Sequence, residues 1–149
     1  MNIAKMMIPK IFTVFLHESN TVRQGLEIFK EHGYTAVPVL DENERYIGCV
    51  TEGDFLRHVI NAGSTNMRDH EQYKIGELVR KDFTPALSID ADYDTVISSV
   101  LNQNFVPIVD GRGTLCGILT RKSIISFLSE KGKPAKGEKP PLKWRFCLL

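Results

Sequence analysis

Apolar residues along this chain fall into short runs that recur in the same order twice. The stretch Tyr34-Thr35-Ala36-Val37-Pro38-Val39-Leu40-Asp41 is echoed by Gln103-Asn104-Phe105-Val106-Pro107-Ile108-Val109-Asp110, 69 positions on. Gly48-Cys49-Val50-Thr51 is echoed by Gly117-Ile118-Leu119-Thr120 at the same offset, and Lys10-Ile11-Phe12-Thr13 by Lys81-Asp82-Phe83-Thr84 at an offset of 71. The two-residue slip fits a shorter helix in the second copy. Repetition of this kind predicts two copies of one structural unit, each of roughly 60 residues, spanning nearly all of 1–130.

Each copy opens with a short extended segment, Phe12 to Leu16 or Thr84 to Ile89. Polar residues suited to capping a helix follow: Ser19-Asn20-Thr21 in one, Asp90-Ala91-Asp92 in the other. Beyond them Val22, Leu26, Ile28 and Phe29, and Tyr93, Val96, Ile97, Val100 and Leu101, stand at helical spacing. Gly33 predicts the end of the first helix, and Asn102 and Asn104 flank the end of its counterpart. An apolar run, a polar turn (Asp41-Glu42-Asn43-Glu44; Asp110-Gly111-Arg112-Gly113) and a second apolar run then predict a hairpin. A last helix is predicted from Phe55, Leu56, Val59 and Ile60, and from Ile124, Ile125, Phe127 and Leu128.

The order per copy is therefore β-α-β-β-α, an α/β (α+β) arrangement. Three strands and two helices hide their apolar surface poorly alone. The two copies are expected to pack sheet to sheet with pseudo-twofold symmetry, leaving clefts lined by strand ends and helix N-termini. The expected divisions are a first motif at 1–61, a polar surface linker at 62–73, a second motif at 74–130 and a disordered basic tail at 131–149, rich in Lys, Gly and Pro. Trp144, Phe146, Leu148 and Leu149 hang on that tail and read as a loose end rather than a docking segment.

Charge narrows the function classes. The chain of 149 residues carries a net charge of +1, which excludes a strongly basic nucleic-acid binder and an acidic solubiliser. The +1 is the sum of −3 over residues 1–129 and +4 over residues 130–149. A basic site within the body would stand out. Apolar runs are only a few residues long, so no membrane span is expected, and the start lacks the pattern of a secretory signal. Cys49 and Cys116 sit in apolar runs and Cys147 in the tail, with no CxxC. Two core thiols and an exposed one are expected, with no disulfide and no metal, in a reducing, cytoplasmic setting.

The most informative spot is the hairpin strand that runs into a helix. Gly48-Cys49-Val50-Thr51-Glu52-Gly53-Asp54 places a hydroxyl at a helix start and a carboxylate three residues on. That is a capping box; equally, Thr51 could donate to a phosphate and Asp54 accept both hydroxyls of a ribose. The second copy reads Gly117-Ile118-Leu119-Thr120-Arg121-Lys122-Ser123. Serine replaces the aspartate and two cations stand at a helix N-terminus, where a phosphate is attracted; both read equally well as solvated surface charges. The histidines show no metal-ligand spacing, and no nucleophile elbow, phosphate loop or dinucleotide-binding glycine pattern occurs. His32 reads as a helix-end residue, and Asp69-His70-Glu71 as solvated linker rather than a metal site. No enzyme is expected.

The duplicated pattern, the apolar-Pro-apolar-Asp strands and the Gly-x-x-Thr-x-x-Asp ending resemble a tandem CBS-domain pair, or Bateman module, over about 1–130. Such pairs bind adenosine-containing ligands in clefts that mix the two motifs, often form homodimers, and have no catalytic chemistry of their own. The resemblance implies a first cleft of Lys10, Phe12, Val14, Tyr34, Thr35 and Ala36 with Ile118, Thr120, Arg121, Lys122 and Ser123. It implies a second of Lys81, Phe83, Pro85, Asn104 and Phe105 with Cys49, Thr51 and Asp54. The paired cations after Thr120 and the missing carboxylate are similar to the stand-alone bacterial CBS proteins that bind cyclic di-AMP. There Arg121 would grip a phosphate, Lys10 would approach from the other side, and Thr35 with the backbone near Ala36 would read adenine. The expectation is a sensor of cyclic di-AMP, or of AMP, ADP or ATP, that needs no cofactor and signals to an enzyme or transporter; the alternative is a ligand-free dimerisation or docking module.

Overall fold

A computed structural model describes residues 2–130. The tail expected at 131–149, with Cys147 and the apolar residues from Trp144 on, lies outside the described residues. In chain order the elements are α1 (Ile3–Met6), β1 (Ile8–Pro9), β2 (Leu16–His17), α2 (Val22–His32), β3 (Ala36–Leu40), β4 (Tyr46–Thr51), α3 (Glu52–Ala62), β5 (Leu87–Ser88), α4 (Tyr93–Asn102), β6 (Val106–Val109), β7 (Leu115–Leu119) and α5 (Arg121–Ser129). Both repeats run β-α-β-β-α, so the α+β expectation holds. The chain divides into two compact units: the first is Phe15–Phe83, and the second joins the residues up to Val14 to those from Thr84 on.

In the first unit β2 runs parallel to β3, and β3 antiparallel to β4. Thr21 starts α2 with a reciprocal cap: its hydroxyl accepts the Gln24 N–H at 3.1 Å, and the Gln24 side chain accepts the Thr21 N–H at 2.9 Å. Gly33 ends the helix in the left-handed region (φ 64°), its N–H returning to the Phe29 carbonyl. Gly25 brings α2 close to its neighbours, since a Cβ there would lie 2.7 Å from both Ile75 and Phe55. Leu16, Val37, Val39, Leu40 and Val50 are fully buried, and the Phe29 and Phe55 rings meet at 4.8 Å.

The second unit repeats this plan. β5 is parallel to β6, β6 antiparallel to β7, and Asp92 caps α4 by accepting the Thr95 N–H at 2.8 Å. Ile3, Met6, Val96, Val100, Val106, Ile108, Leu119 and Ile124 form its core. The hairpin turn is built the same way twice. Asp41 Oδ1 accepts the N–H groups of Asn43 and Arg45, and Asp110 Oδ1 those of Arg112 and Thr114. Those bonds hold the Asp110 carboxyl below its ordinary range, the Arg112 N–H first.

Three expectations need correction. The segment from Phe12 to Leu16 is not extended throughout: Lys10–Phe12 is a turn of 3-10 helix closed by the Thr13 N–H on the Lys10 carbonyl, and only Leu16–His17 pairs. The buried Thr13 hydroxyl tightens that turn by donating to the Pro9 carbonyl at 3.0 Å. The second unit's sheet has four strands rather than three, because β1 adds to it in the order β1-β7-β6-β5. Finally, the stretch 62–73 is not merely a solvated linker. His70 is 1% exposed at the end of a 3-10 turn, Met67–His70. Its ring is held there by the Ser64 carbonyl at 2.9 Å and by His58 at 3.0 Å.

Candidate functional site

The glycine of each Gly-x-x-Thr segment admits a second piece of backbone. In the second unit β1 lies antiparallel on β7, with Ile8 opposite Ile118 and Pro9 opposite Gly117. In the first unit Arg80 and Cys49 exchange both backbone bonds, at 3.2 and 3.0 Å. A Cβ on Gly117 would lie 2.3 Å from the Ile8 oxygen, and one on Gly48 2.4 Å from the Arg80 oxygen. Only glycine permits either approach. Each unit therefore carries, beside its Thr-capped helix, a segment that in sequence precedes the other repeat.

This arrangement brings together part of each expected site. In the second unit the stretch holding Lys10, Phe12 and Val14 follows β1, beside Ile118 and the start of α5. Thr120, 1% exposed, is the cap of that helix, its hydroxyl accepting the Ser123 N–H at 2.9 Å while Ser123 Oγ accepts the Thr120 N–H at 3.0 Å. A groove of about 310 Å³ runs here, lined by Met6, Met7, Pro9, Phe12, Ser123 and Phe127 among others. Its size sits at the low end for small-molecule sites. Arg121 turns its guanidinium to the Leu101 carbonyl at 3.1 Å, at the C-terminal end of α4, where a cation is favoured. Asn104 and Phe105 lead into β6 of the same unit, Phe105 buried, and the Pro85 carbonyl accepts from Gln103 at 3.2 Å. Cys116 is partly exposed; burial first, then Asp110, push its thiol up while Lys10 opposes them.

In the first unit Tyr34, Thr35 and Ala36 lead into β3, with Ala36 opposite Thr51 and the Thr35 carbonyl accepting the Glu52 N–H at 2.9 Å. They belong to a different unit from Thr120 and Arg121, and Pro85, Asn104 and Phe105 to a different unit from Thr51 and Asp54. Lys81 and Phe83, both exposed, follow Arg80 on the segment beside the fully buried Cys49.

Asp54, 8% exposed, is the centre of the first-unit site. The capping reading is correct: Thr51 Oγ1 accepts the Asp54 N–H at 3.2 Å, and Asp54 Oδ2 accepts the Thr51 N–H at 2.8 Å and its hydroxyl at 2.9 Å. Oδ1 accepts from Arg57 Nη2 at 2.7 Å and Arg80 Nε at 2.8 Å. Arg80 also stands 4.8 Å over the Phe83 ring. Burial pushes the Asp54 carboxyl up, but Thr51 and the two arginines outweigh it and hold the group below its ordinary range.

Arg57 and Arg80 are absent from the residues expected by sequence. Arg80 occupies opposite Cys49 the place that Ile8 occupies opposite Ile118, and Asp54 the place of Ser123. Where one copy carries an acid and a base, the other carries neither. Among the described residues no group of three or more His, Cys, Asp or Glu could hold a metal ion, and no helix is long and apolar enough to cross a membrane.

Comparison with known proteins agrees with this architecture. Cyclic di-AMP receptor B of Bacillus subtilis is 23% identical over 128 residues, covering 86% of either chain. CbpB in complex with c-di-AMP superposes with a TM-score of 0.76 at 20% identity, covering 88% of this chain and 89% of that one. CBSX2 in complex with AMP does so at 0.69 and 22% identity, covering 89% and 98%. At these identities the solved structures speak for the fold. Two uncharacterized proteins of Methanocaldococcus jannaschii, each 25% identical, are much longer: this chain spans 33% and 38% of their lengths. The CBS domain model matches residues 3–61 and again 75–130, both repeats of the fold described above, and the chain belongs to the CBS-domain family.

Proposed function

We propose that this chain is an adenine-nucleotide sensor, taking cyclic di-AMP or AMP, ADP or ATP as a regulatory ligand and signalling to a partner enzyme or transporter. The observation that carries the reading is in the second unit. Pairing of β1 with β7 sets the Lys10–Phe12 turn beside the Thr120-capped start of α5, with Phe12 and Ser123 on one groove. Arg121 and Lys122 open that helix, where N–H groups and cations together suit a phosphodiester. Arg121 would exchange the Leu101 carbonyl for a phosphate oxygen, a stronger partner.

The similarity to a cyclic di-AMP receptor and to CbpB supports cyclic di-AMP; the likeness of fold to CBSX2, solved with AMP, keeps the mononucleotides in view. In this reading the ligand shifts a population between two states, by as much as its affinities for them differ, and the protein performs no chemistry itself. The setting is cytoplasmic.

A thermal-shift panel of cyclic di-AMP, AMP, ADP and ATP tests it. A ligand at a hundred times its Kd stabilises by about 2.7 kcal/mol. Arg121→Ala should weaken binding of the active nucleotide by roughly 1.5–3 kcal/mol. Unchanged calorimetric affinity in that variant removes the phosphate role, and no shift with any nucleotide removes the sensor reading.

One observation favours the second reading, a dimerisation or docking module. Leu56 and Ile60 on α3 and Ile125 and Leu128 on α5 are all more than half exposed, and apolar helix faces of this kind suit a homodimer contact. A ligand-independent dimer in sedimentation, with no nucleotide shift, would support it.

A further inference from the structure

The groove between α1 and α5 in the second unit is lined mostly by apolar residues. Met7, Phe12 and Phe127 are half-buried along it and Pro9 is exposed. Ile11, in the same turn as Phe12, is 82% exposed. The groove follows α5 from Ser123 to Glu130, a rise of about 10 Å, which equals roughly three residues of extended chain. Glu130 is also the residue from which 131–149 continue. Beyond it the sequence sets Leu142, Trp144, Phe146 and Leu148 in alternation with Lys143, Arg145 and Cys147. In an extended segment alternate side chains face opposite ways, so Trp144 and Phe146 would share one side and Arg145 would take the other. Two aromatic side chains on three residues match the length of the groove, and methionine sulfur makes favourable contacts with aromatic rings.

Charge and connection favour an occupant from the same chain. Residues 1–129 sum to −3 and residues 130–149 to +4, so the two attract. Trp144 stands 14 positions beyond Glu130, and a short tether gives an effective concentration on the order of millimolar. A segment that binds the groove at only about millimolar strength is then docked for about half the time. A separate partner at about micromolar concentration needs roughly a thousandfold tighter binding for the same occupancy. We propose that the segment 144–146 docks in the α1–α5 groove of its own chain, with Trp144 and Phe146 against Met7, Phe12 and Phe127 and with Arg145 turned to solvent. The groove thus reverses the loose-end reading of these residues. Phe12 and Ser123, which the sensor reading gives to a nucleotide, lie on the same groove, so the docked segment and the ligand exclude one another. That consequence rests on the sensor reading; the docking itself does not.

Trp144 is the chain's only tryptophan, so fluorescence excited above the tyrosine band reads its surroundings alone. In the full chain the docked indole emits at shorter wavelength than in the denaturant-unfolded chain, is quenched less by acrylamide, and does so at every protein concentration. Ser126→Arg fills the groove with a long cationic side chain, and Phe146→Ser removes one anchor outside the two folded units; far-UV circular dichroism checks that each stays folded. Each should return emission and quenching to the values of the unfolded chain. A solvent-exposed indole in the parent, or a sheltered one in either folded variant, overturns the docking. Emission that moves to longer wavelength on dilution overturns it too, because the segment then sits on a second copy. Calorimetry with cyclic di-AMP tests the exclusion. A chain ending at Glu130 should bind it more tightly than the full chain by the inverse of the undocked fraction, about twofold or more. Equal affinities overturn the exclusion, and no binding by either chain counts against the sensor reading for that ligand while the fluorescence still decides the docking.

Discussion

Gly117 lies directly beneath the Ile8 carbonyl, so close that a Cβ would stand 2.3 Å from its oxygen and 3.1 Å from its carbon. The obstacle is strand backbone, which cannot rotate away as a side-chain tip can. Gly117→Ala should therefore push β1 off β7 and destabilise the protein by about 2–3 kcal/mol, the upper range for overpacking. Chemical denaturation of the variant checks this. An effect below about 0.5 kcal/mol would mean that β1 contributes little to the sheet.

That same pair marks where the sequence was legible and where it was not. Both threonines stand out in the repeat, as do the caps at Thr21 and Asp92 and the turns at Asp41 and Asp110, because each is a local hydrogen-bonding device within four residues; the two glycines stand out only as repeated letters. What Gly117 touches is more than a hundred positions away, and no local spacing reports it. The place of residues 8–14 in the unit of the other repeat, and the four-stranded sheet that results, depend on such distant pairing. The Asp54 site shows the same divide. Its cap to Thr51 follows from spacing, whereas Arg80, 26 positions on, reaches it only through the bridge to Cys49. His70 reads as solvated because its neighbours Asp69 and Glu71 are polar; its partners lie on α3 and at Ser64.

The caps carry a modest prediction. Thr120 is buried and its hydroxyl satisfies the Ser123 N–H at the start of α5. Thr120→Ala should cost about 1 kcal/mol, and Thr120→Ser much less, since the hydroxyl alone makes the cap. Thermal melting of the two variants side by side checks it; equal losses would assign the effect to the methyl group instead.

Asp54 gives an acid-side prediction. Its carboxyl is held below the ordinary value of 3.8, so the folded protein keeps it ionised where the unfolded chain takes up a proton. The stability it contributes is complete above pH 3.8 and is lost as the pH falls from there through the lower folded value. Asp54→Asn should flatten the stability profile in that window and lower stability at neutral pH, because both arginines lose their anion. Urea unfolding at pH 7 and between 4 and 3 measures both effects. A variant with the parent's acid slope would assign that slope to other carboxylates.

The His58 imidazole titrates in a higher and separate range. His70 Nε2 points at the Ser64 carbonyl, which accepts only, so that nitrogen carries the proton. In its neutral form His70 Nδ1 is then an acceptor, and His58 Nε2 must donate to it at 3.0 Å. Burial, followed by the nearby His70, holds the His58 imidazole below its ordinary 6.5, against an opposing pull from Glu77. A depressed histidine contributes stability that is complete above the unfolded value. It is lost progressively as the pH falls from about 6.5 through the folded value, because the unfolded chain takes up the proton first. His58→Gln separates charge from hydrogen bonding: the glutamine amide still donates to Nδ1 but does not titrate. That variant should keep most of the parent's stability at pH 8 and lose part of the decline between pH 7 and 5. His70→Ala, which empties a buried position and strands both partners, should cost about 2–4 kcal/mol at either pH. If His58→Gln declines between pH 7 and 5 as steeply as the parent, His58 is not the group that titrates there.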